Sequence, residues 1–175
     1  MKAKISVLTC LVSIIILNGI VGIARTDPVA IVRLSLPPGP PPSVNSIFQI
    51  NVEIIAPPTV EVYAWAVILR FEPYGQAIVA VNATEGPFLP GAGPTKFAYL
   101  IDIFQGRVKI ANTLLTPQCT GGASCGPGPR LLAEVCFACA ESGQTWIELD
   151  DCQLLDCNLN PIACDCHDLP NLIQQ

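Results

Sequence analysis

Proline and glycine, 17 and 13 of the 175 residues, recur at short intervals through the chain from residue 25 onward. Between them lie runs of β-branched and aromatic residues, and no window of about a dozen residues carries an apolar stripe of helical period without a breaker. Such runs predict short β-strands. The predicted strands are Val29–Leu36, Phe48–Ile55, Val60–Phe71, Ala77–Val81, Phe97–Ile103, Arg107–Leu114, Leu131–Cys139 and Thr145–Asp150, with a short last one near Leu159–Ala163. This pattern indicates an all-β fold, a single jelly-roll or immunoglobulin-like β-sandwich of about nine strands.

Charge and hydropathy exclude several classes of function. The chain has 14 acidic and nine basic residues, a formal charge of −5 and a pI near 4.7, which disfavours binding to nucleic acid or to an anionic membrane surface. Hydrophobic residues make up 51% and the mean hydropathy is +0.50, so the chain is not disordered. The sequence has one histidine, His167, and no Gly-x-Ser-x-Gly, phosphate-loop or His-Glu-x-x-His motif. We therefore predict that it is not an enzyme and has no catalytic residues.

The first 24 residues have the organisation of a secretory signal peptide. Lys2 and Lys4 precede an apolar stretch, and Gly22 and Ala24 occupy the −3 and −1 positions for cleavage before Arg25. An uncleaved N-terminal anchor is the alternative, because the stretch is just long enough to span a bilayer. The sequence therefore predicts an exported protein, extracellular or at the cell surface. Residues 25–175 then form one domain with a cysteine-rich C-terminal part.

The cysteines fit an oxidising compartment. Cys10 lies in the predicted signal, and eight cysteines remain, an even number that predicts disulfides. They are Cys119, Cys125, Cys136, Cys139, Cys152, Cys157, Cys164 and Cys166. Cys136 and Cys139 share a predicted strand, where three residues span about 10 Å, too far for a disulfide that tolerates about 7 Å.

Local loops give the simplest pairing of these cysteines. It joins Cys119 to Cys125 and Cys152 to Cys157. It then joins Cys164 and Cys166 to Cys136 and Cys139, in either order. A zinc site is the alternative, with Cys136, Cys139, Cys164, Cys166 and His167 as candidate ligands. Because the chain carries an export signal, we predict disulfides and no metal site.

Several segments, in order along the chain, resemble the cohesin family of β-sandwich modules. Asn51-Val-Glu-Ile-Ile resembles an early strand, and Ala66-Val-Ile-Leu-Arg-Phe-Glu-Pro resembles the family's apolar strand that ends in an aromatic, an acid and a proline. The further matching segments are Val81-Asn-Ala-Thr-Glu-Gly, Gly106-Arg-Val-Lys-Ile-Ala, Leu132-Ala-Glu-Val-Cys-Phe and Thr145-Trp-Ile-Glu-Leu. The resemblance covers residues 29–163. The abundance of cysteine and the tail after Asp150 depart from the family pattern.

The resemblance implies protein recognition without catalysis. One sheet face is expected to accept a dockerin-type partner in an extracellular assembly, with any calcium carried by the partner and none held by this chain. The strands implied for that face are about Val60–Arg70, Phe97–Ile103, Arg107–Leu114 and Leu131–Cys139. The polar residues predicted at its edges are Arg70, Lys96, Asp102 and Arg107. Two aromatic residues, Tyr63 and Trp65, complete the predicted partner-binding set.

Two alternatives of other classes remain open. Tyr63, Trp65 and Trp146 suggest a sugar-stacking platform, and thus a carbohydrate-binding module that recognises a polysaccharide. Low charge and apolar strands also suit a self-assembling surface or filament subunit, in which the segment after Arg25 adds a strand to a neighbouring copy.

Two further patterns could mark modification or ion binding. Asn82-Ala-Thr is an N-glycosylation sequon that predicts a glycan on Asn82. Acidic residues concentrate near the C-terminus, where a calcium site is conceivable but a solvated acidic patch is the preferred interpretation. These residues are Asp150, Asp151, Asp156, Asp165 and Asp168.

Overall fold

The computed structural model describes residues 30–39, 42–71, 77–116, 122–142, 144–169 and 173–174, which form fourteen β-strands and no helix. The strands are β1 (Ala30–Ser35), β2 (Ile47–Ile55), β3 (Glu61–Val62), β4 (Ala64–Phe71), β5 (Ile78–Glu85), β6 (Thr95–Asp102), β7 (Arg107–Leu114), β8 (Ala123–Ser124), β9 (Arg130–Cys139), β10 (Gln144–Thr145), β11 (Ile147–Leu155), β12 (Pro161–Ile162), β13 (Cys164–His167) and β14 (Ile173–Gln174). The all-β prediction is confirmed. The predicted signal peptide and its cleavage site lie outside the described residues.

Ten of these strands build two sheets that face each other. The first sheet has the order β13-β1-β2-β9-β5 and the second has the order β12-β11-β4-β7-β6. Neighbouring strands are antiparallel, except that β13 lies parallel to β1. Two short ribbons, β3–β8 and β10–β14, complete the described strands. The molecule is therefore a β-sandwich, as predicted.

The core lies between the two sheets and is continuous across them. On β4 the inward side chains alternate with partly exposed ones, as expected of a strand covered on one face. Phe71 of the second sheet makes an edge-to-face contact with Phe137 of the first, with ring centroids 5.5 Å apart. Phe137 also stacks on Phe48 at 5.6 Å. The Phe71–Phe137 contact therefore joins the two sheets.

The C-terminal region departs from the predicted strands. The predicted strand Thr145–Asp150 was too short, because β11 continues to Leu155 through a bulge between Leu149 and Asp151. The bulge changes which side chains point into the core. Buried side chains fall at odd-numbered positions up to Leu149 and at even-numbered positions from Cys152 onward. The cysteine-rich tail then returns as β12 and β13, and β13 forms an edge of the first sheet. The tail is thus an integral part of the sandwich.

The predicted disulfide pairing is wrong. Cys152 is bonded to Cys166, which joins β11 of the second sheet to β13 of the first, and Cys157 is also disulfide-bonded. Cys125 is a free thiol, so the predicted Cys119–Cys125 bond is absent. Cys119 itself lies outside the described residues.

The proposed bonds from the tail to β9 fail for a geometric reason. Strands β1 and β2 separate β13 from β9, a distance of about 14 Å at the usual spacing between strands, which is twice what a disulfide spans. Cys136, Cys139 and Cys164 are accordingly free thiols. The same separation rules out the alternative zinc site that needed both cysteine pairs.

Candidate partner-binding face

The outer face of the second sheet is flat at its centre. Ala66 of β4 lies opposite Ala111 of β7, which lies opposite Ala98 of β6, so three alanines form one row across three strands. Gln153 of β11 continues that row on the other side of β4. We call Ala66, Ala98 and Ala111 the alanine row. All three are partly exposed, and their short side chains leave the backbone of this face open to close approach.

Apolar residues extend the alanine row on one side. The next row pairs Ile68 of β4 with Lys109 of β7, and Lys109 with Leu100 of β6. Leu100 is 62% exposed and Ile68 is partly exposed. Lys109 lies between these two apolar side chains, so this row presents apolar surface with one charge in its middle.

Charged residues form the margin at one end of this face. Arg70 pairs with Glu148 across β4 and β11, with nitrogen and oxygen 3.6 Å apart, and its guanidinium carbon lies 5.7 Å from the centre of the Trp146 ring. Arg107 pairs with Asp150 at 3.4 Å. Because these pairs are partly exposed, each stabilises the fold by at most about 1 kcal/mol. Their exposed charges remain available to orient a partner.

The structure places the four polar residues that the sequence predicted at the edges on one face, and brings three of them together. Arg70, Arg107 and Asp102 lie in one cross-strand row, and Lys96 lies at the opposite end of β6 on the same face. Asp102 also shapes the β6–β7 turn, since its Oδ1 accepts hydrogen bonds from the backbone N–H groups of Phe104 and Gln105.

The two aromatic residues predicted to bind a partner do not lie on this face. Trp65 is 1% exposed, because it has the inward parity of β4 and packs 6.3 Å from the Phe97 ring. Tyr63 is partly buried, and its hydroxyl donates a hydrogen bond of 2.8 Å to the carbonyl of Thr116. With Trp65 in the core and Trp146 beside Arg70, the three predicted aromatics do not form a sugar-stacking platform.

One strand implied for the recognition face was assigned to the wrong sheet. β4, β6 and β7 share the second sheet, but β9, the predicted fourth strand, lies in the first sheet between β2 and β5. β11 takes the fourth place instead. The sequence analysis also missed the alanine row. Each of the three strands carries an outward-facing alanine, but only the register shows that these alanines meet.

The C-terminal acids have separate structural roles. Asp156 closes the turn before β12: hydrogen bonds from the Asn160 side chain, and from the backbone N–H groups of Asn160 and Asn158, hold the pKa of Asp156 below its ordinary value. Asp168 accepts a hydrogen bond from the backbone N–H of Leu149 at the β11 bulge, at 2.6 Å. Within the described ranges, no three acidic, histidine or cysteine side chains converge as metal ligands.

Asn82, the predicted glycosylation site, lies on the edge strand β5 opposite Cys136. Its side chain is partly buried, and its Oδ1 atom is buried without a hydrogen-bond partner among the described atoms. Glycosylation of Asn82 stays a prediction.

Across the described ranges, no helix has the length and apolar character needed to cross a membrane.

Comparison with solved structures identifies a cohesin-like fold. A type II cohesin in a Cohesin-X-Dockerin complex from Acetivibrio cellulolyticus matches with a TM-score of 0.63 and 12% identity, covering 82% of this chain and 98% of that chain. The second type II cohesin module of the adaptor ScaA scaffoldin of the same organism gives 0.64 and 14%, covering 87% of this chain and 92% of its own. A non-cellulosomal cohesin from the archaeon Archaeoglobus fulgidus gives 0.55 and 13%, with coverages of 81% and 91%. No family model and no curated protein sequence matches the chain.

Proposed function

We propose that this chain is an exported, non-catalytic binding module that recognises a dockerin-type protein partner through the outer face of its second sheet. The alanine row is the observation that carries the proposal. The partner would bring its own calcium, and the module would serve an extracellular assembly. The alanine row and the charged residues around it are the proposed contact surface.

The shape of this face suits helices. The distance of closest approach of a packed helix depends on the side chains at the contact, and small side chains allow a closer approach. Ala66, Ala98 and Ala111 present almost no relief, so a pair of helices could lie across β4, β7 and β6 in close contact. The charges of Arg70 and Arg107 then favour one orientation of the partner over the others.

The solved neighbours support the same class of partner. Some were determined in complex with dockerins, among them the sixth cohesin of scaffoldin B from Acetivibrio cellulolyticus, bound to a Cel5 dockerin mutant. That neighbour has a TM-score of 0.59, 13% identity, and coverages of 79% of this chain and 95% of its own. At such identity the likeness extends to the fold, so the partner of this chain has to be found by experiment.

The test uses the oxidised, secreted chain as bait for the secreted proteins of its source organism, in calcium and then in EDTA. We expect calcium-dependent capture of a protein with duplicated Asp/Asn-rich loops. Ala111→Arg puts a long charged side chain at the centre of the alanine row. It should weaken that capture at least about tenfold, because the centre of an interface carries most of the binding energy.

Ala138→Arg is the matched control. Ala138 is a partly exposed alanine on a central strand of the first sheet, so the same change there should leave capture unchanged. Both variants should keep the β-sheet circular dichroism of the parent. Capture that survives Ala111→Arg, or that ignores EDTA, would contradict the proposal.

The carbohydrate-binding alternative loses one of the three aromatic residues that motivated it. Trp65 is buried in the core and cannot stack on a sugar ring. Retarded migration of the chain in affinity gels containing polysaccharides would nevertheless favour that alternative over protein recognition.

A further inference from the structure

β6 is an unprotected sheet edge. Among the described strands it pairs with β7 alone, and its eight residues stay in continuous register from Thr95 to Asp102 without a bulge. Leu100 and Tyr99 are 62% and 46% exposed. A long, regular, apolar edge presents unpaired backbone groups that can accept another strand.

The other three edges of the two large sheets are blunted. β12 has two residues and β13 has four. β5 is interrupted by an irregularity between Ala80 and Asn82. Short strands and bulges are the usual protection of a sheet edge against pairing. Of these four edge strands, β6 is thus the one suited to association.

The charges of β6 are self-complementary. Lys96 and Asp102 flank the apolar run Phe97-Ala98-Tyr99-Leu100-Ile101, and Tyr99 lies midway between them. If two copies of β6 pair antiparallel about a two-fold axis at Tyr99, Lys96 of each copy lies opposite Asp102 of the other. Residues opposite each other in an antiparallel pair point to the same face. Lys96 and Asp102 do share a face, because their β7 neighbours Thr113 and Arg107 have the same parity.

We infer that a second copy of this chain binds at β6, forming a symmetric dimer in which the second sheets join into one continuous ten-stranded sheet. The pairing places Ala98 opposite Leu100 and brings the two Tyr99 side chains together at the axis. It covers the exposed parts of Tyr99 and Leu100. If the pairing slipped by one residue, Lys96 would no longer lie opposite Asp102, and equivalent side chains of the two copies would point to opposite faces of the sheet. The charges and the alternation of side chains therefore favour the same register.

Dimerisation would leave the alanine row accessible to a partner. Pairing occurs at the edge of the sheet, so both rows would face outward on one extended surface, ready for two partners. The inference does not rest on the proposed function, because the edge, its exposure and its charges are independent of what the face binds.

Cross-linking of the wild-type chain gives a direct test. A carbodiimide joins an amine to a carboxylate without a spacer. Lys96 and Asp102 of one chain are about 20 Å apart along the strand, so they cannot be joined to each other within that chain. A Lys96–Asp102 amide, identified by mass spectrometry in a species of twice the protomer mass, would therefore report the two-fold pairing. Equilibrium sedimentation should show the dimer growing with concentration.

Charge variants then test the register. Lys96→Asp places two like-charged pairs across the axis and should weaken dimerisation at least about tenfold. Asp102→Lys should do the same, and an equimolar mixture of the two variants should recover a heterodimer, since every facing pair is again opposite in charge. Arg130→Asp makes the same change of charge on the first sheet and should leave dimerisation unaltered.

Three outcomes would overturn the inference. A chain that stays monomeric at all concentrations would do so, and so would a dimer that lacks the Lys96–Asp102 cross-link. A dimer equally insensitive to Lys96→Asp and Arg130→Asp would place the contact elsewhere. Lys96→Asp keeps the turn-forming Asp102, so its result stands even if Asp102→Lys fails to fold.

Discussion

Cys164 lies beside a disulfide to which it does not belong. Its Sγ is 3.7 Å from the Sγ of Cys152, which is bonded to Cys166. Attack by the Cys164 thiolate on the Cys152 sulfur would form a Cys152–Cys164 bond and release Cys166 as a thiolate, with no net oxidation or reduction. Burial, reinforced by the charges of Asp151 and Asp165, raises the pKa of Cys164 to about 11. The thiol form is thus favoured at neutral pH, and it is unreactive.

Disulfide exchange at Cys164 should therefore increase with pH. A protease that cleaves before aspartate separates Cys164 from Cys166 at Asp165, so peptide mapping distinguishes the two isomers. We expect Cys152–Cys166 alone after incubation at neutral pH and a growing share of Cys152–Cys164 as the pH approaches about 11. Cys164→Ser is the control and should show no second isomer. Equal exchange at neutral and alkaline pH would contradict the raised pKa.

Neighbouring residues on β4 show what sequence can and cannot establish at this scale. The composition of the strand predicted its existence, but both of its faces are apolar in sequence. Tryptophan drew attention as a ligand-binding residue, whereas Trp65 is in the core and the next residue, Ala66, faces outward. A strand's two faces can be told apart from sequence only when they differ in polarity, and here they do not.

At the scale of elements, the Cys152–Cys166 bond fastens the edge strand β13 to the opposite sheet. β13 has four residues and, among the described strands, pairs only with β1, while Cys164 and Cys166 pack against the core. The bond spans a sequence separation of 14. A disulfide closing a loop of this size stabilises a protein by about 3 kcal/mol. The bond therefore adds a covalent link to the strand pairing and packing that place the tail in the sandwich.

Removing Cys166 alone should cost less stability than removing both tail cysteines. In Cys166→Ser, the Cys164 thiol is close enough to pair with Cys152 and replace the bond. The double variant Cys164→Ser/Cys166→Ser has no replacement and should lose about 3 kcal/mol of unfolding free energy. Urea denaturation of the oxidised proteins measures both changes. Equal losses in the single and double variants would show that Cys164 cannot take over.

The sequence predicted the bounds of three strands closely, but it joined β3 and β4 into one strand and predicted the C-terminal strands poorly, for a reason visible in β11. β2, β7 and β9 begin and end within a residue of their predicted bounds because breakers flank them on both sides. In β11 the bulge at Asp150 changes the parity of the buried residues, so a search for simple alternation stops there. β13, Cys164–His167, carries little apolar sequence of its own, and its place is set by β1 and the disulfide.

At the scale of the molecule, strand order was beyond the reach of the sequence. β9 pairs with β2 and β5, both more than 40 residues before it in the chain, and such long-range pairing leaves no local signal. The resemblance to cohesins supplied the sandwich and the idea of a recognition face. The resemblance placed β9 in the recognition face where the structure has β11, and both are apolar strands near the C-terminus. Three strands of the proposed face and four of its polar residues were nevertheless predicted together.

Because the core is continuous between the two sheets, a cavity made in one sheet should destabilise the whole fold. Phe137 of β9 is completely buried, and it contacts Phe71 of β4 in the opposite sheet. Replacing it with alanine should cost about 3–5 kcal/mol, since the change leaves a cavity between the sheets. Phe137→Leu keeps more of the volume and should cost less.

Comparison of two spectroscopic probes shows whether the two sheets unfold together. Trp65 belongs to the second sheet and Trp146 immediately precedes β11 of that sheet, whereas Phe137 belongs to the first. If the core couples the sheets, Phe137→Ala will lower the denaturation midpoint seen by tryptophan fluorescence as much as that seen by far-UV circular dichroism. A fluorescence midpoint that stays at the wild-type value while the dichroism changes would mean that the second sheet, with its alanine row, is stable without the first. The proposed recognition face would then need only half of the sandwich to support it.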